Sequence, residues 1–200
     1  MNIVLASSSP YRSRLLMRTG LQFATFAPDV AEAEITRRLL NEGKSPEEVA
    51  ENLAIEKAKK AAEKFPGALI IAGDQLVSFN GILLGKPLNF ETAFNQLQGL
   101  RGHTHQLVTA MALLSNSRLE TFVEVTQLKM KSLTDAELAN YLLRDKPFDC
   151  AGSYKIEESG IVLFESVETS DFSAIQGIPM IWLSNRLKEY GYEFFQNPAD

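Results

Sequence analysis

Ala68-Leu69-Ile70-Ile71-Ala72-Gly73-Asp74-Gln75-Leu76-Val77-Ser78-Phe79-Asn80-Gly81-Ile82-Leu83-Leu84-Gly85-Lys86-Pro87 lies near the middle of this 200-residue chain and sets its architecture. Ala68 to Ala72 and Leu76 to Phe79 read as extended. Asn80-Gly81 is a strong two-residue hairpin signal, because a type I′ turn needs positive φ at both central positions, and Ile82 to Leu84 returns. A mid-chain hairpin among helical segments predicts an α/β or mixed α+β chain around a mixed sheet, not a purely parallel doubly wound one. Gly73-Asp74-Gln75 interrupts the extended run and puts a carboxylate at or near a strand end, where burial is costly without a partner. With Asn80-Gly81 as the turn, Phe79 pairs with Ile82. That register carries back to place Gln75 opposite Lys86, with Asp74 on the other side. A bulge at Gly73 or Gly85 would instead bring Asp74 to Lys86, and a purely structural Asp–Lys pair beside a Gly-Lys-Pro turn is the plain alternative.

Outward from this segment, helices and strands alternate irregularly. Ile3, Val4 and Leu5 read as a short buried strand, followed by Ser9 as an N-cap, Pro10 as the first helical residue and helix to about Gly20. Residues 28–34 read as a loop. Ser45-Pro46-Glu47-Glu48 fits a capping box opening a helix to about Phe65. Asn89 caps a helix to about Leu100, and Gln106 to Leu114 and Thr121 to Met130 look like strands. Thr134-Asp135-Ala136-Glu137 starts another helix, Ile161 to Val167 is a further strand, and Pro179 opens a last helix ending near Gly191.

Composition narrows the classes. With 45% hydrophobic and 22% charged residues the chain fits one compact domain, or one domain in two lobes. A formal charge of −5 without a basic run argues against a nucleic-acid binder, so any anionic ligand must be held by a local basic pocket. The single cysteine, Cys150, excludes an internal disulfide and reads as a small core residue. No charged segment followed by a long apolar stretch opens the chain, and a cytoplasmic location is expected. The apolar runs fall short of the roughly 20 residues a bilayer requires, so no membrane partner is expected.

Such a basic pocket has a visible candidate. In Leu5-Ala6-Ser7-Ser8-Ser9-Pro10-Tyr11-Arg12-Ser13-Arg14-Leu15-Leu16 a strand end meets a hydroxyl-rich turn and a helix start. Arg12 and Arg14 lie in the first turn, where the macrodipole is already positive and Asp or Glu would be favoured. A phosphate chain would compensate them, taking hydrogen bonds from first-turn amides, serine hydroxyls and a guanidinium fork. Solvated surface arginines behind an ordinary Ser-Pro cap are the alternative. On the helix from Ser45, Val49, Leu53, Ala54, Ala58, Ala61 and Phe65 share one face at 100° per residue, and Lys57 falls inside that apolar arc. There it either snorkels to solvent or ends at a cleft and meets an anion. No Gly-x-Gly-x-x-Gly opens a helix, and residues 81–87 are too short for a P-loop. His103 and His105 alternate on a strand, but two imidazoles without a third ligand are weak as a metal site.

Leu5-Ala6-Ser7 through Leu16, Glu56-Lys57-Ala58, Gly73-Asp74-Gln75, Gly85-Lys86-Pro87, Thr109-Ala110-Met111-Ala112-Leu113, Ala151-Gly152-Ser153-Tyr154 and Gly177-Ile178-Pro179 together resemble the Maf family of nucleotide pyrophosphatases. They run in family order across nearly the whole chain. The resemblance implies that residues 1–200 form a single Maf-like domain. It would be an elongated, twisted mixed sheet in two lobes flanked by helices, like the inosine triphosphate pyrophosphatases, with the active cleft between the lobes. It also implies hydrolysis of a nucleoside triphosphate to the monophosphate and pyrophosphate with a divalent cation, Mg²⁺ or Mn²⁺. By matching position, Asp74 corresponds to the proton acceptor, and Ser7, Arg12, Lys57 and Lys86 to phosphate-contacting residues. Glu32 shares the metal with Asp74. Ala31 stands where the family commonly has Asp, which leaves Asp29 or Glu34 as substitute ligands.

Pro10-Tyr11-Arg12 departs from the common Pro-Arg-Arg of the first motif. Together with Gln75 and Glu157 it is similar to the subgroup that hydrolyses 7-methyl-GTP. Methylation at N7 leaves guanine cationic, so stacking on Tyr11 and a nearby Glu157 carboxylate would favour it by roughly 0.5–2 kcal/mol from the cation–π contribution. The expected partner is a small nucleotide, with a homodimer left open. The rival readings are a dTTP- or UTP-preferring pyrophosphatase, a phosphatase releasing terminal phosphate, and a nucleotide-binding regulator of septum formation without turnover. Asp74 speaks against the last, since a pure binding site gains nothing from a carboxylate beside phosphates.

Overall fold

The structure, a computed structural model, describes residues 2–116 and 118–195. Strand β1 (Ile3–Ala6) is apolar and buried throughout, as a strand covered on both faces must be. It pairs in parallel with β2 (Ala24–Phe26) on one side and β3 (Leu69–Phe79) on the other, in the registers Val4↔Ala24 and Ile3↔Leu69. With β4 (Ile82–Leu84), β5 (Thr104–Ser115), β6 (Arg118–Met130) and β7 (Phe164–Glu168) these strands make one mixed sheet, in the order β2-β1-β3-β5-β6-β7 with β4 against β3. Helices α1 (Pro10–Met17), α2 (Glu32–Asn41), α3 (Pro46–Lys64), α4 (Phe90–Leu100), α5 (Asp135–Asp145) and α6 (Met180–Glu189) complete the mixed α/β fold among the described residues. None of these helices is long and apolar enough to cross a membrane.

The chain divides into two compact units. The described residues within 1–74, 109–124 and 171–200 form the first, and those within 75–108 and 125–170 the second. In the first, Leu5, Leu16, Ile71, Met111, Leu113 and Leu183 build the core. In the second, Leu97, Leu100, Leu128, Met130, Leu138 and Leu142 are fully buried.

The hairpin has the predicted register, with Phe79↔Ile82, Ser78↔Leu83 and Val77↔Leu84 paired and Asn80 and Gly81 both at positive φ. The ladder ends there, so the projected pairing of Gln75 with Lys86 is not reached. Upstream, Gly73-Asp74-Gln75 does not break the strand. Gly73 lies against Met111 Sδ and the Ala110 carbonyl oxygen, where a Cβ would approach to 2.7 and 3.0 Å, so the missing side chain lets β3 pass.

Four expectations are corrected. Helix α1 closes at Met17, with Arg18 donating back to the Arg14 carbonyl. Residues 28–34 are not wholly loop. Helix α2 begins at Glu32 without a side-chain cap, and Glu32 and Glu34 complement the dipole of its first turn. Residues 159–163 wind as a 3-10 turn held by Asp145 Oδ2, which accepts from the Ser159 amide (3.0 Å) and hydroxyl (2.6 Å), so β7 starts only at Phe164. Pro179 is the N-cap of α6, not its first residue. The free amides of Met180 and Ile181 are satisfied by Ser173 Oγ at 2.8 Å and Asp171 Oδ2 at 2.7 Å.

Candidate active site

Parallel pairing of β1 with β3 ends at Ala6↔Ala72, so Asp74 lies two residues farther along β3, which runs on to Phe79, while Ser7 leaves the end of β1. That end of an α/β sheet is where polar residues gather over helix N-termini. Ser9 caps α1 and accepts from the Arg12 amide at 3.4 Å, and α1 has no acidic residue in its first turn. Arg12 is buried at 8% exposure, not a solvated surface arginine. Its Nε–H donates to the Gly177 carbonyl at 3.0 Å and its Nη1 to Ser7 Oγ at 3.3 Å, while Ser7 Oγ also accepts from the Ser9 amide at 3.1 Å. Arg14 points elsewhere. It is exposed, with its guanidinium 5.0 Å from the centre of the Tyr11 ring.

Lys57 sits on the buried face of α3, as the helical projection requires, and does not snorkel. Its Nζ lies 2.5 Å from Asp74 Oδ1 and 2.8 Å from Glu32 Oε1, so one ammonium bridges two carboxylates. Asp74 is 6% exposed, and burial pushes its carboxyl above the ordinary carboxylate value, against the pull of Lys57 and then Arg12. Burial lowers Arg12 as well, opposed by the charges of Asp74 and Glu32, but a guanidinium stays charged at any physiological pH. Desolvating such ions costs several kcal/mol each and offsets much of their attraction, so stability is a poor reason to keep them. Perturbed, coupled charges of this kind mark functional sites.

The first unit therefore gathers Ser7, Arg12, Glu32, Lys57 and Asp74, drawn from the turn after β1 and from α1, α2, α3 and β3. Lys86, Gln75 and Glu157 belong to the second unit. Lys86 is exposed and makes no ion pair among the described residues, Gln75 is half-buried on β3, and Glu157 is exposed. Ala31 fills the N-cap of α2, and the charge of Asp29 is felt by Lys60. Among the described residues no three His, Cys, Asp or Glu side chains group to hold a metal. His103 and His105 do not act together. His103 is exposed with its ring 5.6 Å from that of Phe79, whereas His105 is buried with its Nε2 3.1 Å from the Tyr154 hydroxyl. The Gly177 carbonyl was missed in the sequence. Its only signal was a glycine before Ile-Pro, where φ is +98° and a Cβ would come within 3.1 Å of Arg12 Nε.

A mixed α/β sheet carrying a buried carboxylate on β3, with its lysine bridge and an anchored arginine beside it, is an arrangement suited to an anionic ligand. A family profile described as Maf-like protein matches residues 2–190, and the chain belongs to that family. A 7-methyl-GTP pyrophosphatase of Bdellovibrio bacteriovorus is 42% identical over 188 residues, covering 93% of this chain and 95% of that protein. Proteins of the same name from Polaromonas sp. and Cupriavidus pinatubonensis are 38% and 40% identical. They cover 99% and 96% of this chain, and 89% and 95% of their own lengths. The Ham1 protein structure from Staphylococcus aureus aligns over 95% of this chain and all of that one, at 14% identity and a TM-score of 0.49.

Proposed function

We propose that this chain is a cytoplasmic nucleoside triphosphate pyrophosphatase, acting as one domain in two lobes, and that its substrate is 7-methyl-GTP. The single observation that carries the reading is the Lys57 bridge, which sets a buried acid among cations in the unit that also holds Ser7 and Arg12. Water attacks the α-phosphorus and the bond from it to the bridging oxygen of the β-phosphate breaks, giving the monophosphate and pyrophosphate. Asp74, its carboxyl raised by burial, accepts the proton that water loses. Arg12, Lys57 and the Ser7 hydroxyl hold the phosphates and neutralise the charge that builds there, and Lys86 is assigned to phosphate by the family match.

The donor set fits a divalent cation. Asp74 and Glu32 both reach the Lys57 ammonium, so their carboxylates lie near one another, and Mg²⁺ is commonly held by one or two carboxylates plus substrate phosphates. Asp74 and Glu32 would hold Mg²⁺ or Mn²⁺, which when bound neutralises phosphate charge and orients the triphosphate. Tyr11, Gln75 and Glu157 are each assigned to the base by the resemblance to the 7-methyl-GTP subgroup. The Arg14 guanidinium already lies on the Tyr11 ring, as a cationic methylated purine would.

A product-resolved assay with Mg²⁺ or Mn²⁺ across 7-methyl-GTP, GTP, dTTP and UTP tests the reading. Monophosphate and pyrophosphate are expected, with the highest kcat/KM on 7-methyl-GTP. Orthophosphate as product, or binding without turnover, overturns the reaction. Comparable kcat/KM values across the four overturn the substrate. Tyr11→Leu lowers the preference for 7-methyl-GTP over GTP by about 2- to 30-fold.

A further inference from the structure

Within the second unit, three successive residues are held far more tightly than a turn requires. Ser153 is fully buried at φ +64°, a conformation that costs a side-chain-bearing residue free energy and persists only where the surroundings over-determine it. Its hydroxyl donates to Gln96 Oε1 of α4 at 2.5 Å. Tyr154 is fixed through its hydroxyl by His105 of β5 and packs edge-on against Phe164 at 5.0 Å. The Lys155 amide donates to the Tyr141 hydroxyl of α5 at 2.9 Å, and its ammonium donates to the Asp145 and Lys146 carbonyls at 3.3 and 3.4 Å. Side chains from three elements thus set the direction in which the chain leaves toward Glu157.

Gln96 makes a second connection. Its Nε2 donates to the Gly85 carbonyl at 3.0 Å, immediately before Lys86. A single planar amide therefore holds Gly85 at its nitrogen and Ser153 at its oxygen. The carbonyl can only accept, so the amide has one orientation that satisfies both bonds.

We propose that Gln96 is a positioning residue: it fixes the Gly85-Lys86 stretch against the Ser153–Glu157 segment and thereby sets the discrimination between 7-methylguanine and guanine nucleotides. The inference rests on the assignment of Lys86 to phosphate and Glu157 to the base. If one residue anchors the phosphates and the other reads the base, the spacing between their backbones is the ruler against which the nucleotide is measured. Misplacement of such a support by a fraction of an ångström weakens a site whose own residues are intact.

The test measures kcat and KM for 7-methyl-GTP and GTP, with thermal midpoints, in the wild type, Gln96→Leu, Gln96→Glu, Ser153→Ala, the Gln96→Leu/Ser153→Ala double variant and Glu157→Gln. Gln96→Leu is expected to lower the kcat/KM ratio about tenfold, through KM for 7-methyl-GTP, the effect of losing two hydrogen bonds. Gln96→Glu keeps the acceptor for Ser153 and should fall between Gln96→Leu and the wild type. Ser153→Ala should lower the ratio less, and add nothing in the double variant. A ratio unchanged in Gln96→Leu while Glu157→Gln loses it, whatever happens to the midpoint, overturns the inference alone. A wild type without preference, or a preference untouched by Glu157→Gln, overturns the assignment beneath it and the inference together. If Gln96→Leu does not fold, Ser153→Ala decides by the same criterion.

Discussion

The Nε–H of Arg12 donates to the Gly177 carbonyl at 3.0 Å, joining residues 165 positions apart. Gly177 takes φ +98°, where an added Cβ is strained in itself and would also press on Arg12 Nε at 3.1 Å and Cγ at 3.2 Å. Gly177→Ala should therefore destabilise the protein by about 1–3 kcal/mol and raise KM for the triphosphate as the guanidinium moves. Denaturant unfolding and steady-state kinetics read the two effects. An unchanged KM would mean that Arg12 does not need this anchor.

Asp74 gives a prediction with opposite signs for activity and stability. Burial raises its folded value above the ordinary 3.8, so between those two values the folded state holds a proton that the unfolded state has released. Stability contributed by the protonated form is present below 3.8 and is lost as pH rises through the folded value. At neutral pH the ionised carboxylate is a liability. Asp74→Asn should abolish turnover while raising the thermal midpoint at pH 7 to 8, with Glu32 still pairing Lys57. Retained turnover refutes the role of the acid.

Lys57, 2.5 Å from Oδ1, is the charge that most strongly holds that carboxyl down. Lys57→Met should move the acid limb of the kcat/KM profile to higher pH and cost at least about 10²-fold in kcat, the scale for losing a preorganised charge. A pH profile with an unmoved acid limb would separate Lys57 from the titration of Asp74.

His105 offers a test remote from the chemistry. Burial pushes it down to about 4 from 6.5, and its Nδ1 is buried without a partner. The unfolded chain takes up a proton that the folded one refuses, so stability is full above pH 6.5 and falls as pH drops toward 4, by about 3 kcal/mol over that window. His105→Phe keeps the packing against Tyr154 and Phe164 and should flatten this slope, as seen in unfolding free energies measured from pH 7 to 4.5.

Gly73 shows how closely the backbone beside the acid is packed. Gly73→Ala would drive a Cβ against Met111 Sδ and the Ala110 carbonyl, both fully buried. A loss of about 1–3 kcal/mol is expected, with a matching fall in kcat as Asp74 shifts. A variant as stable and as active as the wild type would show that β3 has slack there.

Where a feature depends on residues a few positions apart, the sequence disclosed it. The Asn80-Gly81 turn with its register, the capping boxes at Ser45 and Thr134, and Lys57 inside an apolar arc are all local patterns, and all are present. Strand β2 and helix α2 escaped because they carry little such pattern. Three largely exposed residues become a strand only by pairing with β1, and α2 starts at Glu32 behind Ala31, an N-cap with no side-chain acceptor for the free amides. The apolar arc leaves Lys57 either snorkelling to solvent or meeting an anion, and that it meets Asp74 and Glu32 together depends on three distant segments coming together. Sequence spacing left Asp74 either facing away from Lys86 or brought to it by a bulge, whereas β3 runs on unbroken and the partner comes from α3.

Three strands carry the chain from one compact unit into the other, after Asp74, Val108 and Glu124. No single cut in the gene would therefore release either unit as an uninterrupted polypeptide. Such a protein cannot be assembled by fusing two ready-made modules or dissected by truncation, and the acid at residue 74 and its neighbour at 75 are inherited as one peptide.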